Sequence, residues 1–134
     1  PAHVVFPAID DKPAGYSSRW LQEILRQQLG FQGVIFSDDL SMEAAGVVGD
    51  YAQRAKTALA AGCDMVLVCN HPEAAAQVLE SLEDYANPAS QMRLVRMHGR
   101  GEINRQGLQA SDEWQQAVEM IAQIDHNPWL EMDV

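Results

Sequence analysis

The sequence predicts an α/β protein with parallel strands, followed by a helical tail. Two observations predict this. Three apolar, β-branched runs lie at 2–6 (AHVVF), 33–37 (GVIFS) and 63–69 (CDMVLVC), and Val4, Val34 and Val66 mark their spacing. That spacing is about 30 residues, the period of a βα unit. A segment of helical pattern follows each run. None of the runs alternates strictly, so each reads as a strand covered on both faces. Right-handed crossovers lay such strands side by side and parallel.

Each element has its own signals. After the first strand, SSRWLQEILRQQLG reads as a helix capped by Ser17 or Ser18. Trp20, Leu21, Ile24, Leu25 and Leu29 form its apolar face, and Gly30 sits where a left-handed cap belongs. Between the second and third strands, YAQRAKTALAAG is a helix opened by Asp50 and closed by Gly62. Pro72 suits the first turn of the next helix, which continues through Ala74, Val78 and Leu82. The character changes from about Asp84. Asn87-Pro88 is a break, Ser90 starts a short helix (QMRLVRMH), and GRGEINRQG reads as a loop. Ser111, Asp112 and Glu113 open a last helix, Trp114 to Ile124. Trp114, Ala117, Val118, Ile121 and Ile124 are its expected buried face, and DHNPWLEMDV is a polar tail. The organisation expected is βα units over 1–83 and a helical extension over 84–134.

Composition narrows the function. A length of 134 residues allows one domain and is too short for a closed barrel of eight βα units. Nine Lys and Arg against 19 Asp and Glu give a net charge of −10. That balance argues against nucleic acid or an anionic membrane as partner, because phosphates select basic surfaces. No apolar run is long enough to span a bilayer. The chain begins with Pro1 and shows no basic segment leading into an apolar one, so no signal peptide is read and a mid-sequence start is expected. Cys63 and Cys69 bracket the third strand, about 20 Å apart if extended. They are too far apart for a disulfide and read as small buried hydrophobes in a reducing compartment. A thiolate nucleophile is the alternative, with His71 near Cys69 as activator.

In parallel α/β sheets, functional groups gather at the carboxyl ends of the strands. The segment GVIFSDDLSM (33–42) runs an apolar strand into Ser37, Asp38 and Asp39. Successive side chains point to opposite faces, so one carboxylate can face a site while the other braces the loop. Three readings remain open. The pair caps a helix or braces a loop. It holds Mg²⁺ and accepts phosphate, as in a receiver-like α/β domain. Or one carboxylate is the nucleophile of glycosyl transfer, which attacks an anomeric carbon and needs a general acid opposite.

AHVVFP, the Trp-Leu helix ending in LGFQGVIFSDDLSMEAA, and ALAAGCDMVLVCN together resemble family-three glycoside hydrolases. The likeness is to their β-N-acetylhexosaminidase branch, which acts in bacterial cell-wall recycling, and it covers residues 2 to about 83. It implies a cytoplasmic, retaining hydrolase of muropeptide-derived sugars with no metal or organic cofactor. Asp38 matches the family's nucleophile, which forms a covalent intermediate with N-acetylglucosamine. Asp39 would be a supporting residue, His3 falls near the sugar site, and Met42 would line the pocket. Asn70 and His71, after the last strand, are further candidates. The family's acid/base His, on an Asp-x-His loop, and its Lys-His-Phe segment have no match here. His3, His71, His98 and His126 all lack that pattern. The implied fold is therefore the last three βα units of a (β/α)8 TIM-type barrel, a partial barrel, plus a helical tail. Such a piece has exposed sheet edges. It is expected to be inactive alone and to associate with the missing N-terminal half or with itself.

Overall fold

In the computed structural model, which describes residues 1–99, 101 and 103–125, the first predicted strand departs from expectation. Only Val5–Phe6 (β1) is strand, and it pairs antiparallel with Asp10–Pro13 (β2), which the sequence reading missed. The Ile9 N–H donates to the Phe6 carbonyl at 2.8 Å and closes the turn. A partner this near in sequence costs little closure entropy, and among the described residues β1 joins no other strand. Burial on both faces is likewise not found: Val4, Val5 and Phe6 are 48%, 41% and 48% exposed.

The other two runs meet as predicted. Phe36–Asp39 (β3) and Met65–Leu67 (β4) pair in parallel, with Phe36 opposite Met65 and Asp39 opposite Leu67. Tyr51–Ala61 (α1) makes the crossover between them. The Asp50 carboxylate accepts the Gln53 N–H at 2.8 Å, and Gly62 leaves the helix at φ +127°. Pro72–Ser81 (α2) follows β4. The helix Arg19–Gln28 is of the wide π type, and Leu29 N–H reaches back to the Ile24 carbonyl at 2.9 Å. Ser17 Oγ accepts the Trp20 N–H at 3.1 Å, and Gly30 takes φ +66°, so both expected ends are present. Leu29 is 71% exposed, whereas Arg26 is buried. Leu21 is buried and Trp20, Ile24 and Leu25 are half-buried, as expected, so only the last turn of the apolar face, at Leu29, departs from the stripe read from sequence. The core collects Tyr16, Leu21, Ile35, Leu40, Ala55, Ala58, Cys63 and Val78.

Asp64 organises the amino ends of these strands. Its carboxylate accepts from Arg26 Nη2 (2.6 Å), Ile35 N–H (2.8 Å), Ser90 Oγ (2.6 Å) and Arg93 Nη1 (2.7 Å). Ser90 and Arg93 lie on Pro88–Val95 (α3), whose cap is Asn87 rather than Ser90. The chain divides into two units, Pro1–His98 and Gly99–Val134. Within the first unit, Asp64 ties α3 to the strands.

The second unit holds Arg105–Gln109 (α4) and Asp112–Asp125 (α5). α4 replaces part of the expected loop, and Asn104 caps it by accepting the Gly107 N–H at 2.9 Å. The expected burial of one α5 face is not found: Trp114, Val118, Ile121 and Ile124 are all exposed. Two short helices have too little surface to cover an apolar stripe. Residues 126–134, with His126 and the polar tail, lie outside the described residues. Among the described residues no helix is long and apolar enough to cross a membrane.

Candidate active site

The site is built where β3 ends. Ser37 is buried, and its Oγ donates to the Asp38 carbonyl at 2.7 Å and accepts the Leu67 N–H at 3.0 Å. This double contact stitches β3 to β4 at the level of the acidic pair. Asp38 and Asp39 are both half-buried. Asp38 Oδ1 accepts the Asp39 N–H at 2.9 Å. One oxygen thus fixes the carboxylate while the other, Oδ2, makes no hydrogen bond among the described residues.

Asp39 is engaged throughout. Its Oδ1 accepts the N–H groups of Ser41 (2.8 Å) and Cys69 (2.9 Å), and its Oδ2 accepts the Ser41 hydroxyl (2.6 Å). Burial alone would raise its pKa, but the bonds from Ser41 and Cys69 outweigh burial and hold the carboxyl below its ordinary value. Asp39 therefore binds the loop after β3 to the loop after β4. Its carbonyl accepts from His3 Nε2 (3.0 Å) and from the Met42 N–H (3.2 Å).

The remaining candidates fall around this turn. His3 packs against the Tyr16 ring, with centroids 5.5 Å apart, and its Nδ1 is buried without a partner. Met42 is exposed. Asn70 adopts φ +56°, a left-handed conformation that Asn tolerates. His71 caps α2, its Nδ1 accepting the Ala74 N–H at 3.3 Å. Both cysteines are free, as the spacing predicted. Cys63 is buried, and burial pushes its thiol up to about 11, which removes it as a nucleophile. Cys69 is exposed, contrary to the expectation of a buried hydrophobe, because β4 stops at Leu67. Ser37 and Ser41 were missed as participants. The Asp-x-Ser spacing of 39 and 41 is an Asx-turn signal that could have found the second.

Chemically, the pair divides into one poised carboxylate and one structural carboxylate. A receiver-like site would present both carboxylates to a cation, and Asp39 is already saturated by the loops.

The model of the glycosyl hydrolase family 3 N-terminal domain matches residues 1–97. A β-hexosaminidase of Thioalkalivibrio sulfidiphilus is 58% identical over 134 residues, which are 100% of this chain and 39% of the relative. A β-hexosaminidase of Methylococcus capsulatus is 56% identical over 122 residues, 90% of this chain and 36% of the relative. Among solved structures, NagZ from Neisseria gonorrhoeae in complex with N-trifluoroacetyl-D-glucosamine superposes with a TM-score of 0.78 at 38% identity. That superposition covers 95% of this chain and 37% of NagZ. The chain thus spans about two-fifths of the length of the curated relatives it matches. The fold is part of a TIM-type α/β barrel, and the receiver-like alternative is set aside.

Proposed function

The chain belongs to glycosyl hydrolase family 3, and from that premise we propose that it is the nucleophile-bearing C-terminal segment of a retaining exo-β-N-acetylglucosaminidase. The substrate is a peptidoglycan-derived muropeptide, from which terminal N-acetylglucosamine is removed. The observation that carries this reading is the state of Asp38 at the carboxyl end of β3. One oxygen is pinned by the Asp39 N–H, and the other has no partner among the described residues.

Asp38 Oδ2 attacks the anomeric carbon, the bond from that carbon to the leaving oxygen breaks, and a glycosyl ester forms on Asp38. The leaving oxygen takes a proton from a general acid. Water then attacks the same carbon, giving its proton to the conjugate base of that acid, and the Asp38 carboxylate is released as the ester bond breaks. Two inversions give net retention. Protonation of the leaving group is worth about 10²–10⁴-fold, so the segment alone is inactive. The names of the relatives support the sugar class. A cytoplasmic setting is supported by the free thiols of Cys63 and Cys69.

The test follows hydrolysis of an aryl N-acetyl-β-glucosaminide by NMR, using the full-length protein that carries this segment. The β-anomer of the sugar is expected as the first product, and Asp38→Asn lowers kcat by about 10³-fold or more. First appearance of the α-anomer would overturn the retaining mechanism.

A further inference from the structure

We propose that His3 is a positioning residue for Asp38, acting through the backbone of Asp39 and not by touching the sugar. The proposal rests on Asp38 being the nucleophile. A carbonyl oxygen only accepts, so the 3.0 Å contact from His3 Nε2 to the Asp39 carbonyl places the ring hydrogen on Nε2. Nδ1 then carries the lone pair, and it is buried with no partner. One ring nitrogen is thus committed to the backbone and the other faces no solvent, which leaves neither free for a sugar hydroxyl.

The ring itself is held. It packs at 5.5 Å and 38° against Tyr16, a buried residue whose hydroxyl donates to the Ala45 carbonyl at 3.1 Å. On the receiving side, the polar atoms of Asp39 form a frame. The carboxylate is fixed by Ser41 and Cys69, the carbonyl by His3 and Met42, and the N–H points to Asp38 Oδ1 at 2.9 Å. The direction of that N–H sets where Asp38 Oδ2 points. His3 anchors the frame from a segment 36 residues earlier in the chain. Without it, the Asp39 carbonyl keeps only the Met42 N–H, the Asp39–Leu40 peptide is held otherwise by the Leu40 N–H to the Leu67 carbonyl at 2.8 Å, and the loosened frame lets the nucleophile drift out of alignment.

The experiment uses the full-length protein and three variants: His3→Phe, His3→Gln and His3→Asn. Phe keeps the ring on Tyr16 without a donor, Gln places an amide N–H where Nε2 was, and Asn reaches only as far as Nδ1. Steady-state hydrolysis of an aryl N-acetyl-β-glucosaminide and the rate of covalent trapping by a fluorinated N-acetylglucosaminyl donor are read for each. His3→Phe and His3→Asn are expected to lower kcat and the trapping rate about 10–100-fold with KM nearly unchanged. His3→Gln restores most of both. A raised KM with unchanged kcat would overturn the proposal in favour of a sugar contact. Gln no better than Asn would overturn it too, and that comparison stands even where Phe fails to fold. A parent that hydrolyses and traps while the variants match it refutes the His3 role alone. A parent that traps equally well as Asp38→Ala refutes the nucleophile reading and this proposal together.

Discussion

Asp64 and Asp38 are the same residue type at opposite ends of the strands, and their surroundings give them opposite tasks. The Asp64 side chain is fully enclosed and receives two guanidinium groups, a hydroxyl and an amide. Burial alone would raise its pKa. The bonds from Ser90, the Ile35 N–H and Arg93 outweigh burial and hold it below the ordinary value. Removing one partner of such a buried pair leaves the other charge uncompensated. Asp64→Asn should therefore cost about 3–5 kcal/mol in urea unfolding at neutral pH. The sign of the pH dependence follows from the depressed pKa. The Asp64 contribution is complete above about pH 4, and it fades as pH falls through the folded-state value. The deficit of the variant should narrow below pH 4, and a deficit independent of pH would contradict the ionised state. Little of this was visible in the sequence. Asp38 and Asp39 announce themselves at the end of an apolar run, whereas the partners of Asp64 lie 26 to 38 residues away. Nor do composition and spacing distinguish the free carboxylate from the saturated one, since both neighbours satisfy the same pattern; only the family resemblance tells them apart.

Among the elements, those ended by local chemistry were legible. Asp50, Gly62, Gly30 and Pro72 punctuate helices by hydrogen bonding or backbone geometry that adjacent residues decide. β1 was misread because an apolar run does not say which strand it pairs with, and the Asp10–Pro13 return is too polar to read as a strand. The π winding of the Arg19–Gln28 helix was not legible, although its apolar face was, apart from Leu29. The exposed strand residues have a physical consequence. Val4, Val5 and Phe6 on one side, and Met65 and Leu67 on the other, present apolar surface beside unpaired strand edges. Such edges template association. In isolation the 134-residue chain should therefore scatter light as an oligomer or aggregate. A stable monomer of 14.8 kDa with cooperative unfolding would contradict that expectation.

On the scale of the whole molecule, one parallel strand pair and one hairpin among the described residues cannot close a barrel of eight. The arrangement puts Asp38, the proposed nucleophile, at the carboxyl end of β3, where barrel enzymes assemble their chemistry from several strand ends. On the proposed mechanism the proton donor comes from outside these residues; the chain spans about two-fifths of its relatives. Asp38 is proposed to form the covalent bond to sugar. This is tested most directly by treating the full-length protein with a fluorinated N-acetylglucosaminyl donor, followed by proteolysis and mass spectrometry. One added sugar is expected on the peptide containing Asp38, and none on that peptide from Asp38→Ala. A label on any other residue, or one that persists in Asp38→Ala, would contradict it.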